Sequence, residues 1–481
     1  MRELRAEWIR AKGSVLWWLA AGGLVLGVVL SGMSLVGSID DATDLLNWQA
    51  LLVTGMLAPI AALYAGLLEQ REKQSRAGGT LWRPASRHAV RAARLLVVWA
   101  ALGLFFLLDF GATWALAALF GLEHAPRVLL IGFFAWVGSL GAAGLAAGIS
   151  RRYGLLAALG FAVVWQFGLG FLAERDWWWL NPGAWPMRLV VPAMGLHVNA
   201  TPLEPDSPLL HESPWPAFAL CVLLAAVGMA CAVAVPPRTT PLRLPRRTVH
   251  AVTAPVTDNP ALPAVNRPAA VPRLAALRGT HRAALNPAVI ACVILSVLVM
   301  LFALRYDPSV RTGLFTYAIL PVGAGLLPVL VWPQLRHAWP LMQIEHPRVR
   351  AALLGWLLIV VTLVALVAAA TSGATLIDAA RRLLLAVLIG GAMAFFSLAV
   401  TVRWGVGWAL AWTLFVTIFS VTIGGDVLAQ SALWIIAPTA WPETATTPLR
   451  SAVAAVLGLA LAVGSWAAAR WQLSRDPLRA P

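Results

Sequence analysis

The sequence predicts an all-α polytopic membrane protein of about twelve transmembrane helices, built as two parallel six-helix repeats. Three observations carry this. Hydrophobic residues make up 60% of the 481 and charged residues 12%, against about 45–50% and about 25% in a soluble domain. The apolar excess falls in runs of about 20 residues, the length that crosses a bilayer core. Short motifs also recur in one order. Val90-Arg91-Ala92-Ala93 returns as Val349-Arg350-Ala351-Ala352, and Arg152-Tyr153-Gly154 as Arg403-Trp404-Gly405. Trp178 followed by Pro182-Gly183-Ala184-Trp185-Pro186 returns as Trp434 followed by Pro438-Thr439-Ala440-Trp441-Pro442. The offsets, 349 − 90 = 259, 403 − 152 = 251 and 438 − 182 = 256, are nearly constant, as an internal duplication requires.

Taken in order, the apolar runs place spans near 14–37, 48–68, 95–120, 128–148, 154–172 and 216–236 in the first half. The second half gives 288–304, 313–332, 351–371, 383–402, 405–424 and 451–469. An even number of spans per half gives both repeats one orientation. The division is therefore residues 1–236, a linker over 237–285, and 286–481. The linker is basic and proline-rich, as in Leu244-Pro245-Arg246-Arg247, and cannot bury enough apolar surface to fold alone. It reads as a cytoplasmic tether.

Arginine placement fixes the expected orientation. Arg2, Arg5, Arg10, the loop from Arg71 to Arg94, Arg151-Arg152, the linker and the C-terminal Arg470, Arg475 and Arg479 all fall on one side. By the positive-inside rule that side is cytoplasmic, with both termini there. Asp40, Asp41, Asp44, Glu123, Glu204 and Asp206 fall on the other. Arg381 and Arg382 resist the pattern, since the loop after span 9 belongs outside. The net charge of +15 belongs to this pattern and to contact with anionic membrane lipid, so nucleic acid is excluded as a partner. Cys221, Cys231 and Cys292 lie within apolar runs and read as small packing residues. The first apolar run is too long for a signal-peptide core and reads as span 1.

Several segments carry functional signals. Met1 to Lys12 reads as a short interfacial helix with Leu4 and Trp8 on its apolar face; a merely charged leader is the plainer reading. In the loop after span 2, Glu69 and Glu72 close the span and Trp82-Arg83-Pro84 opens a helix. Arg83, Arg87, Arg91 and Arg94 then form one basic stripe, suited to docking on an acidic partner or on lipid phosphates. The corresponding second-half loop offers Trp339, Arg348 and Arg350, with fewer arginines. Outside, Trp178, Trp185, Trp434 and Trp441 read as an external cap or an aromatic belt. Asp109, deep in span 3, is a pathway candidate because an acid there is costly; an acid facing bundle water or a hydrogen-bond partner is the alternative. The only lysines, Lys12 and Lys73, do not sit in a phosphate-binding loop, so the chain has no ATPase motif of its own. No metal-ligand spacing links the histidines.

At these residues the chain resembles the type-2 ATP-binding-cassette exporter permeases, most nearly those of lantibiotic and bacitracin immunity systems. The resemblance rests on Leu4-Arg5-Ala6-Glu7-Trp8-Ile9-Arg10-Ala11-Lys12 running into Trp17-Trp18, on Glu69 followed by Trp82-Arg83-Pro84-Ala85-Ser86-Arg87, and on six spans with a large external loop before the last. It covers residues 1–236 directly and 277–469 only through the repeat. It implies two permease units fused in one chain of a bacterial plasma membrane, exporting an amphipathic peptide antibiotic, drug or lipid. It further implies a separate nucleotide-binding subunit in two copies, which holds the ATP and Mg; this chain would hold no cofactor. Met1–Lys12 would be the connecting helix and Arg83–Arg94 the coupling helix. One unit per chain is usual in that family, and the second-half loop lacks a Glu69-like acid and a dense stripe, so equal coupling by both halves is not implied. An ion-coupled secondary transporter and a membrane-embedded lipid-modifying enzyme are the rival readings. The first needs ionisable groups at a midplane site, where Asp109 is nearly alone. The second needs a cluster of acids or histidines, with His197 and His211 the residues to test.

Overall fold

The computed structural model describes residues 2–34, 41–74, 86–237, 273–345, 348–424 and 426–475, and these are helical throughout, apart from short connections. Among them eleven helices are long and apolar enough to cross a membrane, and a bent pair supplies a twelfth. The chain is a multi-pass membrane protein. Lipid offers no hydrogen-bond partner to the backbone, so each crossing segment must close its own bonds as a helix.

The first elements are α1 (Arg2–Ala11), α2 (Val15–Ser34), α3 (Ala42–Trp48), α4 (Ala50–Gln74), α5 (Arg87–Leu119) and α6 (Ala125–Tyr153). They continue with α7 (Leu155–Val164), α8 (Trp185–Val190) and α9 (Trp215–Ala234). After the linker come α10 (Arg273–Ala284), α11 (Pro287–Ala303), α12 (Pro308–Leu314), α13 (Leu320–Leu335), α14 (Trp339–Glu345) and α15 (Val349–Thr371). The chain closes with α16 (Leu376–Trp404), α17 (Val406–Gly424), α18 (Asp426–Gln430), α19 (Trp441–Thr444) and α20 (Pro448–Ser474). The chain folds as two compact units: Met1–Pro237 with Leu414–Ala440, and Arg238–Thr413 with Trp441–Pro481. Residues 414–440, read from the sequence as part of the second half, thus group with the first unit, where Leu414, Phe415 and Ile418 join its apolar core.

The recurring motifs have local physical causes. α6 and α16 each run 29 residues and each stops at a glycine, Gly154 at φ 103° and Gly405 at φ 95°. Backbone in that region is essentially restricted to glycine, so a new helix starts directly after each one. Trp185-Pro186 and Trp441-Pro442 each open a short helix, α8 and α19, with proline where no N–H is needed.

In the first unit the helices meet closely. A Cβ on Gly144 of α6 would lie 2.4 Å from the carbonyl carbon of Gly228 on α9, so these backbones touch. α4 is interrupted by Pro59, which cannot donate and displaces the preceding turn. Gln166 repairs the break from a π-helical turn, Trp165–Leu169, after α7. Its Nε2 donates to Thr54 O at 2.6 Å and its Oε1 accepts from Ala58 N at 3.0 Å. The side-chain amide thereby replaces a missing backbone pair in the bilayer interior.

The second unit is held by comparable devices. Ser397 of α16 donates to Gly325 O of α13 at 2.7 Å. Trp339 is fully buried and donates to Leu473 O at 3.3 Å, with its ring edge-on to Trp332. Arg381 and Arg382, unexplained as loop residues, lie within the second turn of α16. There Arg381 donates to Ala445 O and Arg382 faces Glu443 at 3.6 Å. The apolar run had marked only the later part of this helix.

Gln166→Leu keeps the volume and strands the Thr54 carbonyl and the Ala58 N–H. At about 1–3 kcal/mol for each stranded group, the variant should unfold at clearly lower temperature in detergent. An unchanged melting curve would contradict the repair role.

Candidate functional site: a buried ionic knot

The helix ends where the arginines concentrate converge in the first unit. α4 ends in Glu69, Arg71, Glu72 and Lys73; α5 begins near Arg91 and Arg94; α6 ends in Arg151; and α1 brings Glu7 and Arg10. Arg151 forks onto Glu69, with Nη2 to Oε1 at 2.6 Å and Nε to Oε2 at 3.0 Å. Arg94 reaches Glu69 Oε1 at 3.3 Å and Glu72 Oε2 at 3.0 Å. Arg10 closes on Glu72 Oε2 at 2.8 Å and pairs with Glu7 within α1. Arg71 binds Glu7 Oε2 at 3.1 Å and the Arg10 carbonyl at 2.9 Å. Three carboxylates and four guanidiniums thus form one connected set.

Burial decides what the set can do. The side chains of Glu7, Glu69, Arg94 and Arg151 keep 6% or less of their surface. Such pairs escape solvent screening, and removing one partner leaves an uncompensated charge inside the protein. Around the knot, cations close the helix ends. Arg151 also donates to Ala232 O and Val235 O, Arg91 to Val233 O at 2.7 Å and Lys73 to Ser150 O at 2.8 Å. These tie the C-termini of α6 and α9, where the backbone carries partial negative charge. At Arg10, burial disfavours the cation, but Glu7 and Glu72 outweigh it and hold the proton more tightly.

α1 therefore turns an acidic face inward and leaves Trp8 and Ile9 exposed, with Leu4 half-buried and Trp8 packed on Trp17 at 5.1 Å. That suits a helix lying at the membrane surface. Of the expected basic stripe, Arg87 faces outward, Arg91 is half-buried and Arg94 is enclosed by the knot. Helical spacing put them on one stripe, but the stripe turns into the unit along its length. Trp82 and Arg83 lie outside the described residues. In the second unit Trp339 is a packing residue, Arg348 is exposed and Arg350 half-buried.

The offsets expected for a duplication would pair these charged residues with apolar ones. An offset of 259 carries Glu69, Glu72 and Arg94 onto Pro328, Val331 and Leu353, and 251 carries Arg151 onto Val402. All four are buried and apolar.

No family model, curated protein or solved structure matches this chain.

Asp109 is completely buried on α5; neither carboxyl oxygen makes a hydrogen bond of good geometry, and the Gln49 side chain lies beside it. Its neighbour Thr113 is saturated: Oγ1 accepts from Ser31 at 2.8 Å and from Gln49 at 3.0 Å, and donates to Asp109 O at 3.1 Å. The opposite end of the unit carries a second charged group. His197 Nδ1 faces Glu174 at 3.2 Å and Nε2 faces Glu204 at 3.1 Å. Acceptors on both nitrogens require an N–H on each, the charged imidazolium. Burial pulls His197 down, but the bonds to Glu174 and Glu204 outweigh it and raise it above its ordinary value. His211 lies exposed nearby in sequence, outside this clasp. Trp178 is half-buried under the Arg188 guanidinium, 5.3 Å away, and Trp185 donates to Trp179 O at 3.0 Å. Trp434 in the first unit and Trp441 in the second are buried.

The sequence singles out Glu69, Glu72, Arg91 and Arg94, but it does not show Glu7, Arg10, Arg71 and Arg151 as the other members of the knot. The signal lay in unusual acids at the ends of otherwise basic segments, which need a buried cation. Glu69→Gln should lower stability by about 3–5 kcal/mol, read as denaturant or thermal unfolding in detergent; a loss within the range of a surface pair would contradict a buried knot. His197 sets a pH dependence. A raised histidine contributes stability that is full below about pH 6.5 and is lost as pH climbs through its higher folded value. Hydrogen exchange around residues 196–204 should therefore quicken from neutral to alkaline pH, beyond the intrinsic base-catalysed rise, and His197→Gln should remove the excess.

Proposed function

We propose that this chain is the membrane permease of an ATP-driven exporter, with two permease units fused in one polypeptide. The observation that carries the reading is the ionic knot, which fixes the surface helix α1 to the ends of α4, α5, α6 and α9. A partner that moves α1 or the segment preceding α5 moves four spans together, because no buried pair can open cheaply. In this reading the arginine-rich end is cytoplasmic and two copies of a nucleotide-binding subunit dock there, holding ATP and Mg. Arg87, with Trp82 and Arg83 beside it in sequence, supplies the outward basic surface. The recurrence of the long helix stopped by Gly154 and by Gly405 supports a duplicated ancestry. The apolar replacement of the knot in the second half supports unequal coupling by the two halves. The substrate is amphipathic, and the membrane is a bacterial plasma membrane.

One observation favours the ion-coupled alternative: the unpartnered Asp109 carboxyl within a polar group of Gln49, Ser31 and Thr113. The two readings separate in one experiment. Purified from native membranes in mild detergent, the chain should bring an ATPase subunit with it, and Arg83→Glu with Arg87→Glu should weaken that association at unchanged membrane insertion. Recovery of the chain alone, with transport that survives vanadate and fails in Asp109→Asn, would overturn the exporter and establish ion coupling.

A further inference from the structure

The second unit contains a groove that the transport reading leaves unused. α10 and α11 are bent by 86° at their junction, so if α11 crosses the membrane, α10 lies along its surface. Asn286 fixes the corner: its Oδ1 caps α11 by accepting from Val289 N at 3.0 Å, and its Nδ2 donates to Leu330 O at 3.0 Å. Trp356 of α15 donates through Nε1 to His281 Nδ1 at 3.0 Å, which pins α10 to α15 and leaves the His281 proton on Nε2. The pinned helices line an open groove of about 510 Å³, the size of a small-molecule site.

Its lining has two chemistries. At one end stand Arg278 and Arg282 of α10, both exposed and neither in an ion pair among the described residues. Along the rest run Ile290, Ile294, Ile359 and Leu363, exposed side chains of α11 and α15. α10, α11 and α15 contain no aspartate or glutamate, so nothing on these helices neutralises the arginines. The basic linker is a poor occupant: residues 238–272 carry five arginines and one aspartate. A cationic head at the membrane surface above an apolar slot matches one partner class, a membrane lipid with a phosphate head and no compensating cation.

We propose that this groove is a binding site for an anionic phospholipid, with the phosphate between Arg278 and Arg282 and an acyl chain against Ile290, Ile294, Ile359 and Leu363. The proposal is independent of the exporter reading, since it concerns lipid retention and not transport. The full chain, delipidated in detergent, is titrated with dioleoyl phosphatidylglycerol or dioleoyl phosphatidylcholine and read by native mass spectrometry. Phosphatidylglycerol should be retained in preference, and Arg278→Gln with Arg282→Gln should weaken it roughly tenfold or more. Ile294→Trp, which fills the slot and spares both arginines, should weaken either lipid; if the double variant does not fold, this one decides. Equal retention of the two lipids, or unchanged phosphatidylglycerol binding in the folded variants, overturns the proposal. Displacement of phosphatidylglycerol by inorganic phosphate alone would assign the arginines to a free anion and overturn it as well.

Discussion

A carboxylate enclosed by protein stays ionised only if cations are enclosed with it, and the first unit is organised by that constraint at Glu69. One residue near the end of α4 draws Arg94 from α5 and Arg151 from α6 into the interior. Arg94 in turn holds Glu72, and Glu72 holds Arg10 of α1. Arg151 extends the set to the last carbonyls of α9. Five elements from distant parts of the chain are thereby fixed by charges that have no other place to go. Pro328, Val331, Leu353 and Val402, the positions that the expected duplication would pair with these residues, are buried without charge.

The middle of the first unit is built differently. Pro59 breaks α4, and Gln166 mends it from a π-helical turn with a side chain instead of a backbone bond. Breaks of this kind are where membrane helices bend. In the proposed exporter, stiff ends above a mended break would let the spans pivot. Asp109 lies in this same interior with both carboxyl oxygens unmatched.

Much of the fold was legible because the bilayer simplifies it. A membrane-crossing segment must be apolar and helical, so runs of composition translate directly into spans. The repeated Arg152-Tyr153-Gly154 and Trp185-Pro186 motifs were legible too, because a positive-φ glycine and a helix-starting proline are local requirements. The knot was half legible. Glu69 and Arg94 stand out in sequence, but Arg151 lies 82 residues from Glu69 and Glu7 lies 64 from Arg71. Spacing along a helix says which residues share a stripe; it does not say whether the stripe faces water or another helix. For the same reason Arg94 and Trp339 read as docking residues and Trp441 as part of an external cap, although all three are enclosed. The grouping of residues 414–440 with the first unit had no sequence signal, since any apolar helix can pack against any other.

In the proposed exporter, the knot passes the movement of an ATPase partner from α1 to the spans. The direct measurement is coupled transport and ATP hydrolysis by the proposed complex in proteoliposomes, comparing the native chain with Glu7→Gln, which removes the α1 carboxylate that Arg71 and Arg94 face while leaving the Glu69–Arg151 fork in place. Hydrolysis should continue while transport falls, so that the ratio of substrate moved to ATP consumed drops. A ratio unchanged by Glu7→Gln would contradict it.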